Sequence, residues 1–360
     1  MARQLDILAL EPFYGGMRRT MLEIIVRCSR HRWTVLKLPP RRMERRLTAA
    51  AHWFSEQLTR HWVGRIDLLY TSDALNLADL YQLMPGLREK PSVVYFHTNQ
   101  LPEVSAGKQG PHDLVNLSTA TAANEIWFNS LYHLKNFLRK ASALVERHPE
   151  LSSQNPMPSL TKKAQLMAPP VDLNFIREVA RTSNEPRNGR LFFIDTRDAN
   201  LKLINEALQI LNRREEPFEL VTVGPVDELS NDFVRRTVSE TDDAGQILAM
   251  NQASAYVSAK PDTMCDLHAI RALMADAWPV VPRAGVYLDL LPKKMHGFCM
   301  HDGDAESIAT RLQDHWYLER PKGFEADVTQ NLKPFDAIAA CKAIDQRLEE
   351  LAASSEGKPA

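Results

Sequence analysis

Three groups of residues have types and spacing suited to chemistry. The first is Gly15-Gly16, just past the apolar run Leu5–Leu10. Lacking Cβ atoms, this pair would let the backbone approach a ligand closely, and it would equally suit an ordinary tight turn. The second is His97, Asn99 and Gln100, three hydrogen-bonding side chains directly after the apolar run Ser92–Phe96. Between them they offer donors and acceptors within four residues. The third is Arg197 with Lys202, just after the apolar run Leu191–Ile194. An arginine fork and a lysine point charge at a strand-to-helix turn can hold a diphosphate, although isolated surface cations are common. Asn129 and Ser130 close another apolar run, Glu125–Phe128, and Asp113, His133, Asp172, Asp195 and Asp198 are further polar candidates.

Other chemistries find no support. The chain has no G-x-G-x-x-G, no P-loop and no G-x-S-x-G elbow, which argues against a dinucleotide dehydrogenase, an NTPase and an α/β-hydrolase. The four cysteines, Cys28, Cys265, Cys299 and Cys341, form no C-x-x-C pair, and no metal-spaced histidine pair stands out on a helix. The expectation is no metal, with free thiols in a reducing cytoplasm.

The candidate residues sit where elements would place them together. Leu5–Leu10, Trp33–Leu38, Ile66–Tyr70, Ser92–Phe96 and Glu125–Phe128 read as strands. Several end in polar clusters, and the first leads through a glycine turn into a helix with apolar residues at Met21, Leu22, Ile24, Ile25 and Cys28. This is the opening of a doubly wound α/β domain, which binds ligands at the carboxyl ends of its strands. Residues 141–165 read as a polar, proline-bearing loop before a strand near Ala164–Met167. A second α/β series follows, with strands at Leu191–Ile194, Phe218–Val223, Ala255–Ser258, Pro279–Pro282 and Phe298–Met300. The expected organisation is an N-terminal Rossmann-like domain over 1–172, a linker over 173–190, a C-terminal Rossmann-like domain over 191–335, a helix over 336–352 and a tail over 353–360. Two such domains would face a central cleft, the usual place for a ligand.

At 360 residues and 40.8 kDa, two domains are in proportion, and 44% apolar with 25% charged residues excludes a largely disordered chain. No run approaches the length of a membrane span, and MARQLDILAL enters a strand-like run without the features of a secretory leader. Net charge is −1, but it is unevenly placed. Residues 1–65 carry 13 Arg/Lys against five acids, a net of +8 that leaves −9 for the remainder. A basic lobe on a neutral chain points to a polyanionic partner or to a solvated basic face.

The order of motifs carries a resemblance. Glu11-Pro12-Phe13-Tyr14-Gly15-Gly16, Thr71-Ser72-Asp73-Ala74-Leu75-Asn76-Leu77-Ala78, Tyr95-Phe96-His97-Thr98-Asn99-Gln100 and Phe128-Asn129-Ser130-Leu131-Tyr132-His133 resemble the motifs of the tRNA-queuosine α-mannosyltransferases. The likeness spans about residues 5–137, in order and with similar spacing. It implies a GT-B fold and transfer of mannose from GDP-mannose to queuosine in tRNA, with retention of configuration. It implies no cofactor beyond the sugar nucleotide, and a cytoplasmic protein that meets tRNA through its basic N-terminal lobe. By this resemblance His97, Arg197 and Lys202 would be catalytic. Gly15, Gly16, Arg197, Lys202, Thr263 and Asp266 would bind the donor, and Asn99, Gln100, Asn129 and Ser130 would orient substrate.

The chain departs from the family's usual pattern at several points. Met17-Arg18 follows the glycines where the family tends to have Ser-His, and Thr98 stands where it has Glu. The Arg and Lys spacing of the first C-terminal motif survives at Arg197 and Lys202. The donor-site motif with its two glutamates falls on Asp262-Thr263-Met264-Cys265-Asp266 and Arg271, so both glutamates are replaced. Asp276 stands in place of a glycine. Two alternatives stay open beside the mannosyltransferase: a catalytically silent RNA- or sugar-binding relative, and a glycosyltransferase with another donor or acceptor.

Overall fold

The computed structural model describes residues 3–61, 64–103, 112, 114–152, 155–197, 200–230, 233–317 and 324–356. These residues divide into two compact units, Met1–Val171 with Ala337–Ala360, and Asp172–Asp336. Among the described residues no helix is long and apolar enough to cross a membrane.

In the first unit, β1 (Asp6–Glu11), β2 (Arg32–Lys37), β3 (Leu68–Ser72), β4 (Ser92–Phe96), β5 (Glu125–Phe128) and β6 (Ala164–Leu166) form one parallel sheet. Its order is β2-β1-β3-β4-β5-β6. The inner strands β1, β3, β4 and β5 are buried on both faces, as a sheet covered by helices on both sides requires. Leu8, Leu10, Leu69, Val94, Phe96, Ile126 and Phe128 point into one layer of core. Their neighbours Ile7, Ala9, Leu68, Tyr70, Val93, Tyr95 and Trp127 point into the other. The helices are α1 (Gly16–Cys28), α2 (Met43–His61), α3 (Leu77–Leu83), α4 (Val115–Ala122), α5 (Leu131–Arg147), α6 (Pro149–Ser152) and α7 (Met157–Lys163). Residues 141–165 are thus largely helical, not a loop. Pro149 opens α6 and the first turn of α7 holds a proline, the helical position where its missing N–H costs nothing.

The second unit begins with α8 (Leu173–Arg181), capped by the Asp172 carboxylate, which accepts from the Phe175 N–H at 3.0 Å. Residues 173–190, expected as a linker, therefore hold a helix and the first residues of β7 (Asn188–Asp195). After α9 (Leu201–Arg213) come β8 (Glu219–Val223), β9 (Val234–Val238), α10 (Asp243–Gln252), β10 (Ala253–Val257), α11 (Leu267–Met274) and β11 (Trp278–Pro282). Then follow α12 (Tyr287–Leu290), α13 (His296–Cys299), β12 (Met300–His301), α14 (Ala305–Tyr317) and α15 (Phe324–Leu332). The sheet order is β12-β11-β10-β7-β8-β9, so the chain starts in the middle and winds outward in both directions. β9, with its VRRTV sequence, is an edge strand whose charges hid it from an apolar pattern.

The last helix, α16 (Ala337–Glu356), belongs to the first unit. Cys341, Ile344, Leu348 and Leu351 join the core that includes Ile7, Met21 and Ile25. Arg347 pairs with Glu125, and Asp345 accepts from the Arg30 N–H at 2.9 Å. The helix runs beyond the expected 352, and the last four residues of the expected tail lie outside the described residues.

Candidate functional site

In an open parallel sheet the strand order reverses at one place, and the loops there diverge to leave a crevice beyond the carboxyl ends. In the first unit that place is between β1 and β3. The residues found there are Glu11, Gly15, Gly16, Arg18 and Asp73, with His97 to Gln100 at the end of the next strand, β4.

The glycine pair is required by local geometry. Gly16 has φ +52°, in the left-handed region. A Cβ on Gly15 would lie 2.5 Å from Cγ of Pro40. The turn is also tied to the β2–α2 loop, because the Tyr14 N–H donates to Leu38 O at 2.9 Å. Beyond the turn, α1 carries Arg18 into the interior. Its guanidinium donates to both carboxylate oxygens of Asp73, at 2.7 and 2.8 Å. Both groups are buried. The same carboxylate accepts from the His97 N–H at 3.0 Å and from the Thr98 hydroxyl at 3.2 Å. Burial works to raise the Asp73 pKa, but the charge and hydrogen bonds of Arg18 outweigh it and hold the group below its ordinary value. Nearby Glu11 is pushed up by burial, against the pull of Arg18, while accepting from Phe13 N–H at 2.8 Å and the Ser72 hydroxyl at 3.0 Å.

His97 is held by its backbone on both sides. Its N–H binds Asp73, and its carbonyl accepts from the Asn129 amide at 2.8 Å. The ring lies 4.7 Å from that of Tyr95, and Nδ1 is buried with no hydrogen-bond partner among the described residues. Burial first, then the Arg18 charge, depress the His97 pKa well below its ordinary value. The imidazole is therefore neutral near pH 7 and free to donate or accept.

Asn129 also accepts from His133 Nδ1 at 2.9 Å. Because the Asn129 amide nitrogen is already donating, the His133 proton sits on Nδ1, and Nε2 is left bare, buried and without a partner among the described residues. Asn129 and Ser130 thus spend their polar atoms internally: Ser130 caps α5 by accepting from the His133 N–H at 3.0 Å. Asn99 and Gln100 are only partly buried. The Asn99 amide reaches Asn136 at 3.5 Å while its oxygen is unpartnered, and the Gln100 N–H donates to Asn116 at 2.6 Å. Of the residues expected from sequence, then, His97, Asn99 and Gln100 keep open hydrogen-bonding capacity. Arg18, Glu11 and Asp73, which organise them, were missed as site residues. The signal was present in the Thr71-Ser72-Asp73 strand end and in Arg18 one turn past the glycines.

The structure predicts a pH response in this unit. Burial lowers the His133 pKa to about 3. A depressed histidine contributes stability that is complete above its unfolded pKa, about 6.5, and is lost as pH falls toward the folded value. Melting temperature is expected to fall between pH 6.5 and 4 in the wild type. The fall should be shallower in His133→Gln, which keeps a donor to Asn129 but cannot titrate. Parallel profiles would show that His133 does not govern this response.

In the second unit the reversal lies between β7 and β10. Arg197, at the end of β7, packs against Gly224, where a Cβ would come within 2.6 Å of Arg197 Cγ; Gly224 has φ +100°. The Arg197 guanidinium is not free. It donates to Asp195 at 2.8 and 2.7 Å, contacts Glu240 at 3.4 Å and lies 2.9 Å from His268 Nε2. Burial opposes ionisation of Asp195, but hydrogen bonds from Arg197 and His268 hold its pKa well below the ordinary value. Lys202 is exposed on α9. Asp266 has little capacity left: one oxygen caps α11, accepting from Ala269 N–H at 2.9 Å, and the other accepts from the Tyr256 and Tyr287 hydroxyls at 2.9 and 2.7 Å. The Thr263 hydroxyl donates to Lys260 O at 3.1 Å, and Arg271 pairs with Asp243 at 3.0 Å. Asp113 and Asp198 lie outside the described residues. Among the described residues no group of three or more His, Cys, Asp or Glu side chains could hold a metal ion, and the four cysteines are free.

Comparison with known proteins agrees with this geography. Residues 6–171 match the family described as tRNA-queuosine alpha-mannosyltransferase N-terminal. The chain is 24% identical over 313 residues to a tRNA-queuosine alpha-mannosyltransferase of Drosophila melanogaster, covering 80% of this chain and 82% of that protein. Among solved structures it resembles the N-terminal domain of trehalose-6-phosphate phosphatase from Candida albicans, with TM-score 0.68, 9% identity and 98% of each chain covered. It also resembles sucrose-phosphate synthase from Thermosynechococcus elongatus, with TM-score 0.66, 15% identity, and 98% of this chain and 100% of that one covered. At such identities the structures speak to fold alone, and that fold is GT-B, with two Rossmann-like units. The matched N-terminal segment contains the glycine turn, Asp73, His97, Asn129 and His133, so the likeness to the tRNA-queuosine alpha-mannosyltransferase N-terminal family falls on the unit that carries this candidate site.

Proposed function

We propose that this protein is a cytoplasmic glycosyltransferase that moves mannose from GDP-mannose to queuosine in tRNA with retention of configuration. No cofactor beyond the sugar nucleotide and no metal is invoked. The observation that carries the reading is the family match over 6–171, which falls on the unit where the buried Arg18–Asp73 pair and Asn129 fix His97. In the transfer the bond from the sugar C1 to the diphosphate breaks. A bond from C1 to an acceptor hydroxyl forms, and the hydroxyl proton passes to the departing phosphate oxygen or to solvent. His97, neutral and with an open nitrogen, would contact the sugar or the acceptor. Arg197 and Lys202 would stabilise charge developing on the diphosphate.

A second reading is favoured by a specific observation. Arg197 is neutralised by Asp195 and Glu240, and both Asp266 oxygens are in use, so the donor groups named from sequence are engaged within the protein. That arrangement suits a different donor or a silent binder. Thermal-shift titration separates the readings. A ligand at 100 times its dissociation constant adds about 2.7 kcal/mol of stability. The proposal expects a shift with GDP and GDP-mannose, then donor-dependent labelling of queuosine-containing tRNA. A shift with UDP-glucose and UDP instead would give the donor to another sugar nucleotide. No shift with any of these, together with no labelled tRNA, would make the silent binder the function.

A further inference from the structure

The excess positive charge of the first 65 residues is not spread over the lobe. Most of its cations are answered by acids. Arg3 and Arg65 pair with Asp67, Arg18 with Asp73, Arg19 with Glu23, Arg30 with Glu349, Arg32 with Asp6 and Arg60 with Glu56. Of the other six cations, one is Arg27 on α1 and five lie in one segment, Lys37 to Arg46. There Arg41, Arg42 and Arg45 are exposed. Lys37 lies 4.1 Å over the Tyr14 ring, and Arg46 donates to Pro39 O at 2.9 Å. The segment holds five cations and a single acid, Glu44.

Its position is fixed. It leaves the carboxyl end of β2, and Pro40 packs on Gly15 of the candidate site. The turn is closed by Arg41 N–H to Pro39 O at 2.9 Å and Arg45 N–H to Arg42 O at 2.9 Å. Arg42 is held at φ +53°, a conformation that L side chains rarely adopt. Three strand spacings separate β2 from β4, so the loop stands about 14 Å along the same sheet edge from His97. We infer that the β2–α2 loop, through Arg41, Arg42 and Arg45, is a docking surface for the phosphate backbone of RNA whose modified base is presented to the His97 cluster. This rests on the proposed action on tRNA. It goes beyond it by placing the anchoring contacts on one loop and assigning them no sequence reading, since phosphate contacts position and base contacts specify.

The test is tRNA binding by the full chain, measured by filter retention from 50 to 200 mM salt, with queuosine-containing and queuosine-free tRNA. The Arg41→Ala/Arg42→Ala/Arg45→Ala variant is compared with Arg60→Ala/Lys162→Ala. The control removes two exposed cations, one near the far end of α2 and one on α7. Each lost phosphate contact lowers the logarithmic salt slope by about 0.7–0.9. The triple variant is expected to lose about two to three units of slope and to bind both tRNAs roughly 10- to 100-fold more weakly. The control should bind as the wild type does. Thermal melting of the triple variant near the wild-type temperature assigns the loss to the surface. If wild-type protein binds tRNA and the triple variant binds equally well with the same slope, the docking loop is wrong while the action on tRNA stands. If the wild type itself binds neither tRNA at any salt, both fall.

Discussion

Replacing Arg18 by alanine is expected to destabilise the N-terminal unit by about 3–5 kcal/mol. The reason is the partner left behind. Asp73 is fully buried, and the guanidinium supplies two of its hydrogen bonds and a directly paired opposite charge. A buried pair adds little beyond an apolar substitute, because taking both charges out of water offsets their attraction. Breaking it from one side leaves an uncompensated charge, and that is costly. For a unit of this size each kcal/mol corresponds to about 2–4 °C, so the melting temperature should fall by roughly 6–20 °C. Arg18→Lys should lie between, since it keeps the charge and loses the fork. Combining Arg18→Ala with Asp73→Ala should cost clearly less than the two single changes together. Strict additivity in denaturant titrations would show that the pair is not energetically coupled.

The second large effect concerns rate. His97→Ala is expected to lower kcat by about 10²-fold, the scale on which losing a group that positions the reacting sugar or acceptor acts, while the protein remains folded. The backbone at 97 is secured by Asp73 and Asn129 independently of the imidazole. Nδ1 has no partner among the described residues, and a buried unpaired nitrogen costs about 1–3 kcal/mol, a cost that substrate contact would remove. Because the ring is already neutral, the rate should show no inflection near pH 6.5 from this residue. Steady-state kinetics of the proposed transfer, once donor and acceptor are in hand, gives the comparison. Wild-type turnover in His97→Ala would reduce His97 to a core histidine.

Much of the framework was legible in the chain itself. The run Leu5–Leu10, the turn at Gly15-Gly16 and the helix after it announce a doubly wound unit, because period and turn chemistry are local properties. Strands such as Ser92–Phe96 and Glu125–Phe128 coincide with β4 and β5 for the same reason. The candidate cluster His97, Asn99 and Gln100 was also visible, since polar residues directly after an apolar strand stand at the carboxyl edge of a parallel sheet. The helices over 141–163 were not, because proline is a stop signal inside a helix and a start signal in its first turn, and composition cannot tell which.

Other features depend on distance in the sequence. Arg18 meets Asp73 only because β1 and β3 are neighbours, so neither residue carries a local mark of the other. The surroundings of Asn129, Ser130 and Asp266 depend on the fold in the same way, since each spends hydrogen bonds on groups that the folded unit brings to it. The sequence determined how much charge the N-terminal lobe carries. Tertiary structure decided where that charge is exposed, by pairing Arg3, Arg18, Arg30 and Arg32 with acids distant in the chain while Arg41, Arg42 and Arg45 stay exposed on one loop.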